Sequence, residues 1–505
     1  MKKKFTIAFV FFCQIILAQV GLTVQKSEVF QDEKKLSDIV FAEEDGHGGL
    51  VTVRVLYKGF YDFFGYYLEH YDNQLKILGK ADLPFQNFQL KGMKVADGKI
   101  YLISVVSDDS ANTLKADLHT ASLDNLDFSQ TTLLSRDDIK KSNINFQRDA
   151  DNLKSIHFSR NKNFMGVSFD LKNKEQETHL IYVFDKDFKK AGEYVFTRDI
   201  KDRLFELDNI DVDDSNGGVY LQAKVFENDS RMTKKENKSN YHYEVYYMLG
   251  DEKKTLNFKE EDKFIGSLKS LGDEKLSYIG FYSEMNDWRH KGVCRFEIDP
   301  GTLEITSKTF APFTEQFIID KYGEEKKKEL KNLIYRSAFK LKNGDIILNA
   351  EEFFITVAYS SFGGVGTSAE INHYNDIVSL RMKEDGTLVW ARNINKKQTF
   401  DNGKESFSSF MSNDKNYIFI NASDQVRQLS NNRPFFKQER GNATNMYVII
   451  LDADGNIKFQ KIIDGDVEQM PYAVARGVLT AKGDGLILIG RNFKDKRIIK
   501  IFAKK

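Results

Sequence analysis

Residues 447–463, YVIILDADGNIKFQKII, set Asp452, Asp454 and Asn456 around Gly455, a group of oxygens of the kind that holds calcium. An EF-hand loop needs ligands at positions 1, 3 and 5, a glycine at 6 and a bidentate glutamate at 12. With Asp452 at position 1 the glycine falls at 4 and Ile463 stands at 12, so the calcium loop fails. Asp-Gly between two runs of alternating apolar and polar residues is a hairpin signal instead, because glycine supplies the positive φ of a tight turn.

Other chemistry is sparse. The eight histidines are scattered, without a His-x-x-x-His or a glutamate-flanked pair at metal spacing, so the sequence indicates no metal site and no cofactor. No G-x-S-x-G elbow occurs; GTSAE at 366–370 has the serine without the second glycine. P-loop and dinucleotide fingerprints are missing, and Cys294 lies in an apolar strand, where a buried thiol is expected rather than a nucleophile. Glycosidase or lyase chemistry needs two carboxylates converging on a pocket. Asp149, Asp151, Glu351, Glu352 and Asp376 are acids near the mouth of the channel inferred below, and none of them is assigned a catalytic role.

Three groups combine aromatic rings with cations. They are Trp288, Arg289 and His290; Tyr359, Phe362, His373 and Tyr374 around the flexible SSFGGVGTS; and Arg427, Arg433, Phe435, Phe436 and Arg440. Rings beside arginine forks suit carbohydrate, peptide or carboxylate ligands. The competing reading is that the aromatics pin long loops down and the arginines solvate them.

What must position these groups is a repeat. The opening hairpin has a sister in NDIVSLRMKEDGTLVWARNI (375–394), and weaker copies lie at 66–83, 118–134, 179–196, 241–258 and 292–310, each reading strand, acidic turn, strand. Each is preceded by an apolar strand, with starts near 49, 99, 163, 218, 275, 345 and 416, and an eighth begins at 485. Spacing of this order is that of a four-stranded propeller blade with its loops. RIIKIFAKK ends the chain two strands short of a blade, and VGLTVQKSEVF (20–30) with LSDIVFAEE (36–44) supplies the missing pair. The expected fold is an all-β, eight-bladed β-propeller, or seven-bladed if one faint unit is an insertion. Its last blade is closed by N- and C-terminal strands, which leaves no free edge.

The chain opens MKKKFTIAFVFFCQIILAQ. Lys2 to Lys4, an apolar core from Phe5 to Leu17 and Ala18 before a cleavage point make residues 1–18 a secretory signal peptide, leaving 19–505 as a single propeller domain. Phe11 and Phe12 before Cys13 are not the small residues of a lipid-attachment site. No later stretch approaches ~18 uninterrupted apolar residues, so no membrane span is expected. Cleavage leaves Cys294 as the one cysteine, so the core rather than a disulfide must hold the fold. Lys plus Arg equals Asp plus Glu at 74 each, which removes any general electrostatic argument for nucleic acid or anionic membrane. The 41 Phe and 22 Tyr against 5 Pro favour strands joined by Asp, Asn and Gly turns.

The pattern (I/V)-x-x-L-x-x-D-G-x-(I/L)-x-W, present as IVSLRMKEDGTLVW and degenerate as VIILDADGNIKF, resembles the repeats of secreted bacterial propellers of the quinoprotein-like and outer-membrane-assembly-like kinds. The likeness is strong over 375–463 and faint elsewhere. The similar chains are mostly uncharacterised exported proteins, so the resemblance implies a fold and a compartment, and no catalytic residue transfers. Quinoprotein dehydrogenases hold a cofactor with calcium and, in many, a vicinal disulfide; a chain with one mature cysteine lacks the latter.

The two faces of such a ring differ here. Hairpin turns and the turns between units are tight, whereas the opposite connections are long, among them SEMNDWRHKG, TVAYSSFGGVGTSAEINHYN, DQVRQLSNNRPFFKQERGNATNM, SRDDIKKSNINFQRDADNLK and FTEQFIIDKYGEEKKKELKN. The last predicts a helix over 314–332, serving packing. Loops this long usually carry function. The leading reading is an exported, non-enzymatic propeller, periplasmic or secreted, whose long-loop face binds an envelope or extracellular protein or a glycan. Its binding set is Trp288, Arg289, His290, Tyr359, His373, Tyr374, Arg427, Arg433, Phe435 and Arg440. The alternative is a carbohydrate-active hydrolase or lyase with paired carboxylates in the central channel.

Overall fold

The computed structural model describes residues 21–504 apart from 32–35, 59–61, 84–88, 109–112, 138–153, 172–174, 236–237, 273–274, 285–288, 325–329, 331, 363–364, 400–404, 440–442 and 481. The signal-peptide segment therefore lies outside the described residues. Alternating runs pair as antiparallel four-stranded sheets. The first seven blades begin at Leu36, Gln89, Lys154, Phe205, Lys263, Leu333 and Ser408, and the eighth combines Val478–Leu479, Gly485–Asn492 and Asp495–Ala503 with Leu22–Lys26. The chain is an eight-bladed β-propeller. Among the described residues no helix is long and apolar enough to cross a membrane.

The core lies between blades. Eight apolar clusters occupy the eight blade interfaces, from Val53, Leu68 and Leu102 between blades one and two to Ile39, Leu50 and Ile489 between blades eight and one. Each sheet thus covers both its faces on its neighbours, and the ring is closed.

Closure differs in detail from the expected two-plus-two arrangement. Three C-terminal strands take two short N-terminal strands along one edge: Leu22–Lys26 pairs with Asp495–Ala503 from Leu22↔Ala503 to Lys26↔Ile499, and Phe30–Gln31 pairs with its start at Lys496 and Asp495. Leu36–Glu44 is instead the innermost strand of blade one. The cause is a one-strand shift of phase. The eight apolar openings are second strands, buried along their length as in Val219–Phe226, and so carry the loudest apolar signal. Innermost strands mix polar residues with bulges, at Val40, Lys91, Asp208 and Arg336 among others, and so were expected as the ends of preceding units.

Aspartates build the tight turns. Asp452 Oδ1 accepts from the amides of Asp454 (3.0 Å) and Asn456 (2.9 Å), and Asp72 and Asp185 do the same two and four residues on. Gly455 takes φ 79°, at the turn position where blades one and three place Leu75 and Phe188 in the same left-handed region. Blade six latches this turn: Trp390 Nε1 and Arg381 Nη1 donate to Ala453 O at 3.0 and 3.1 Å, and Arg392 Nη1 donates to Gly455 O at 2.6 Å. The DADG oxygens turn the chain and tie blade seven to blade six.

Two long connections hold structure of their own. TVAYSSFGGVGTSAEINHYN is the outer part of a hairpin, Ile346–Phe362 with Val365–Met382, running on beyond its blade. The helix expected over 314–332 spans Glu315–Tyr322, capped by Thr314 and ended by Gly323 at φ 80°. It buries Phe317 against Phe313, ring centroids 4.4 Å apart.

Candidate active site

Blade three brings together three side chains that can hold a proton or a cation. Asp170, at the end of its second strand, stands directly opposite His179 on its third. Glu177, two residues before His179, projects from the same face because strand side chains alternate with period two. One ligand atom from each of Asp170, Glu177 and His179 lies within 4.8 Å of the others. Glu177 and His179 are only 3% and 2% exposed. His179 Nε2 lies 2.7 Å from Glu177 Oε1 without being aligned as a hydrogen bond, and Glu177 Oε2 has no hydrogen-bond partner among the described residues. Burial pushes the Glu177 carboxyl up; His179 opposes this, and Asp170 and Asp202 add to it.

These groups form one wall of a cavity of about 310 Å³ between blades three and four, with Ser155, His157 and Ser168 beside them. Asp202 and the innermost strand of blade four, through Phe205, Leu207, Asp208, Asn209 and Ile210, make the other wall. Burial pushes His157 down to about 4, so its ring is neutral, and Nε2 meets Ser168 Oγ at 3.1 Å. Asp208 is the extra residue of a β-bulge, which turns it out of the ladder. Its carboxyl is pushed up by burial, against the pull of Lys224 and Lys269, and accepts from Gln222 Nε2 at 3.3 Å. Among the described residues, the cavity lining contains no lysine or arginine. Acids from two blades thus face one solvent-sized space, and burial lets Glu177 and Asp208 retain a proton more readily than an exposed carboxyl does.

The residues singled out from the sequence are placed elsewhere. Tyr359 is 83% exposed near the hairpin tip, His373 stacks on Phe354 at 4.5 Å and meets Thr356 Oγ1 at 2.8 Å, and Tyr374 is buried against Phe353. Arg433 is occupied as a helix cap: Nη1 donates to Asp320 O (3.0 Å) and Lys321 O (2.8 Å). Phe435 pairs with Asn395 in a parallel strand, and exposed Arg427 stands opposite it. His290 is half-buried against Phe281, bridges to Leu330, and is pushed down to about 4 by burial; Arg289 beside it is half-buried. Trp288 and Arg440, like Asp149 and Asp151, lie outside the described residues.

The other acids named from the sequence serve an ion network in blade six. Glu351 meets Lys396 at 2.7 Å with both side chains fully buried, and Arg336 reaches its other oxygen. Glu352 and Asp376 share Lys321 at 3.0 and 2.8 Å. They do not form an acid pair across a pocket. Sequence reasoning passed over Asp170, Glu177 and His179 because it sought helical spacings; Glu-x-His on a strand, with Asp before the turn, is the corresponding signal in a sheet.

No protein-family model matches the chain, and no curated protein matches it. Solved structures share the fold at low identity. The β-propeller domain of the trilobed protease from Pyrococcus furiosus is 10% identical, covering 74% of this chain and 95% of that one, with TM-score 0.34. An oligogalacturonate lyase in complex with manganese is 8% identical, covering 96% and 98%, with TM-score 0.38. Prolyl oligopeptidase B from Galerina marginata is 7% identical over 91% of this chain, with TM-score 0.39, and the match spans 55% of that enzyme's length.

Proposed function

We propose that the chain is a carbohydrate-active hydrolase or lyase whose active site is the cavity between blades three and four. The carrying observation is the convergence of Asp208 with Asp170 and Glu177 from opposite walls of one cavity. Cleaving a glycosidic bond requires a carboxyl that gives its proton to the leaving oxygen, and burial equips Asp208 for that task. The blade-three wall holds and polarises the substrate. Phe205 among serine, asparagine and carboxylate groups suits a sugar ring, which offers an apolar face and a hydroxylated edge. Given the signal-peptide reading of residues 1–18, the enzyme works in the periplasm or after release. The test is incubation of the purified protein with a polysaccharide panel, reading new reducing ends and the ultraviolet absorbance of unsaturated products. Turnover supports the proposal, and silence across the panel counts against it.

One observation favours a second reading, a binder acting through the long-loop face. Ile355, Val357 and Tyr359 alternate along the projecting hairpin and are 50%, 45% and 83% exposed, an apolar strip on one side of a ribbon. Pull-down from envelope extract and a glycan array, with Tyr359→Ala as the control, distinguish it from the enzyme.

A further inference from the structure

We propose that Asp170, Glu177 and His179 bind a divalent transition-metal cation, zinc or manganese, at the wall of the cavity between blades three and four. The proposal goes beyond the enzyme reading and stands on the geometry of the three side chains. Their ligand atoms lie within 4.8 Å of one another, a spacing that lets one ion touch all three. Two are carboxylates and one is an imidazole, the donor mixture of zinc and manganese sites; calcium and magnesium take oxygen donors.

The second observation is an unanswered buried oxygen. Glu177 is 3% exposed; its Oε1 lies 2.7 Å from His179 Nε2, yet its Oε2 has no hydrogen-bond partner among the described residues. Buried polar atoms are rarely left so, because desolvation without a partner is costly. Other buried acids of this ring are met by side-chain cations: Glu69 by Arg54 at 3.0 Å, Glu244 by Arg198 at 3.1 Å, Glu351 by Lys396 at 2.7 Å. Among the described residues, the blade-three cavity gathers acids with no lysine or arginine in its lining.

The sheet suits the task. Asp170 and His179 are cross-strand partners, so their separation is set by backbone pairing, and Glu177 N is fixed by donating to Ile200 O at 3.1 Å. The three protein ligands sit at a cavity wall, leaving further coordination positions to water or to oxygens of a bound molecule. A cation there orients what enters the cavity.

The test is calorimetric titration of chelator-treated full-length mature protein with zinc chloride and with manganese chloride, without substrate. Wild type is expected to bind one ion per chain, and Glu177→Gln and His179→Asn to weaken binding by about tenfold or more, the loss seen even when outer-shell partners are removed. Absence of binding by wild type, or equal binding by folded variants, would overturn the proposal. Should the variants not fold, pulsed electron paramagnetic resonance of manganese-loaded wild type reads the site directly. Coupling to one imidazole nitrogen is expected, and its absence counts against the site. Because no substrate enters, polysaccharide turnover that persists after complete chelation would leave the enzyme reading standing while removing any need for the metal in it.

Discussion

Asp170 and His179 face each other across the second and third strands of blade three, paired through the backbone ladder. The alternation of the third strand brings Glu177, two residues before His179, to the same side. The cavity they border is built from two sheets held by the same apolar interface, in which Ile181 and Val183 pack with Leu221 and Ala223.

Lys396 and Glu351 form an ion pair with no exposed surface, and Lys396 Nζ also donates to Tyr374 O at 2.9 Å. Burial pushes its ammonium below the ordinary lysine range, against Glu351. Lys396→Met leaves a buried carboxylate short of one of its two cations and is expected to cost about 3–5 kcal/mol in urea unfolding. A loss under about 1 kcal/mol would show that Arg336 alone suffices.

The N-terminal strands Leu22–Lys26 and Phe30–Gln31 hold the ring shut. Leu22 is 1% exposed in the cluster shared by blades seven and eight. Leu22→Ala is expected to lower stability by about 2–5 kcal/mol. Deleting residues 1–28 exposes the edge of Asp495–Ala503 and is expected to give concentration-dependent aggregation in light scattering. A monomeric deletion variant with unaltered unfolding would contradict the closure described here.

Much of this ring was legible because second strands announce themselves: Val219–Phe226 reads as one apolar run, and acidic turns separate the third and fourth strands at regular intervals. The phase was not legible, since an innermost strand such as Phe205–Val212 mixes carboxylates with apolar residues and carries a bulge. Glycines and serines near 360–368 suggested a loop, yet the apolar alternation of Phe353, Ile355 and Val357 with their partners made a hairpin. Arg433 looked like a ligand fork because its carbonyl acceptors lie more than 100 residues away in the chain, at Asp320 and Lys321. The blade-three triad was within reach at strand spacing. Asp208 was not, for its role depends on a bulge and on burial by a neighbouring blade.

Gly455 has no room for a side chain, as an added Cβ would fall 2.7 Å from Trp390 Cγ, and its φ is 79°. Gly455→Val is expected to destabilise the protein by more than about 1 kcal/mol and to shift Trp390 fluorescence. Calcium and a calcium chelator are expected to leave the thermal midpoint of wild type unchanged. A calcium-dependent rise abolished by Asp452→Ala would restore the calcium reading.

Asp214 joins blades three and four through Ser159 Oγ (2.5 Å), Asn161 N (2.9 Å) and Asn161 Nδ2 (2.6 Å). Burial raises its carboxyl, but these hydrogen bonds outweigh burial and hold it below the ordinary aspartate range. A carboxyl depressed by folding stabilises the native state above its unfolded value, about 4, and loses that contribution as pH falls through the folded value. Asp214→Asn should therefore lower the thermal midpoint near pH 7, and the gap from wild type should shrink by about pH 3. A gap independent of pH would mean that the charge of Asp214 contributes nothing.

The central claim is that the cavity between blades three and four performs chemistry, and Asp208 tests it most directly. Asparagine keeps the size of the side chain and a polar contact for Gln222 but has no proton to give. On a polysaccharide turned over by wild type, Asp208→Asn is expected to lower kcat by about 100-fold or more with the thermal midpoint retained. Full turnover by the folded variant would contradict the assignment.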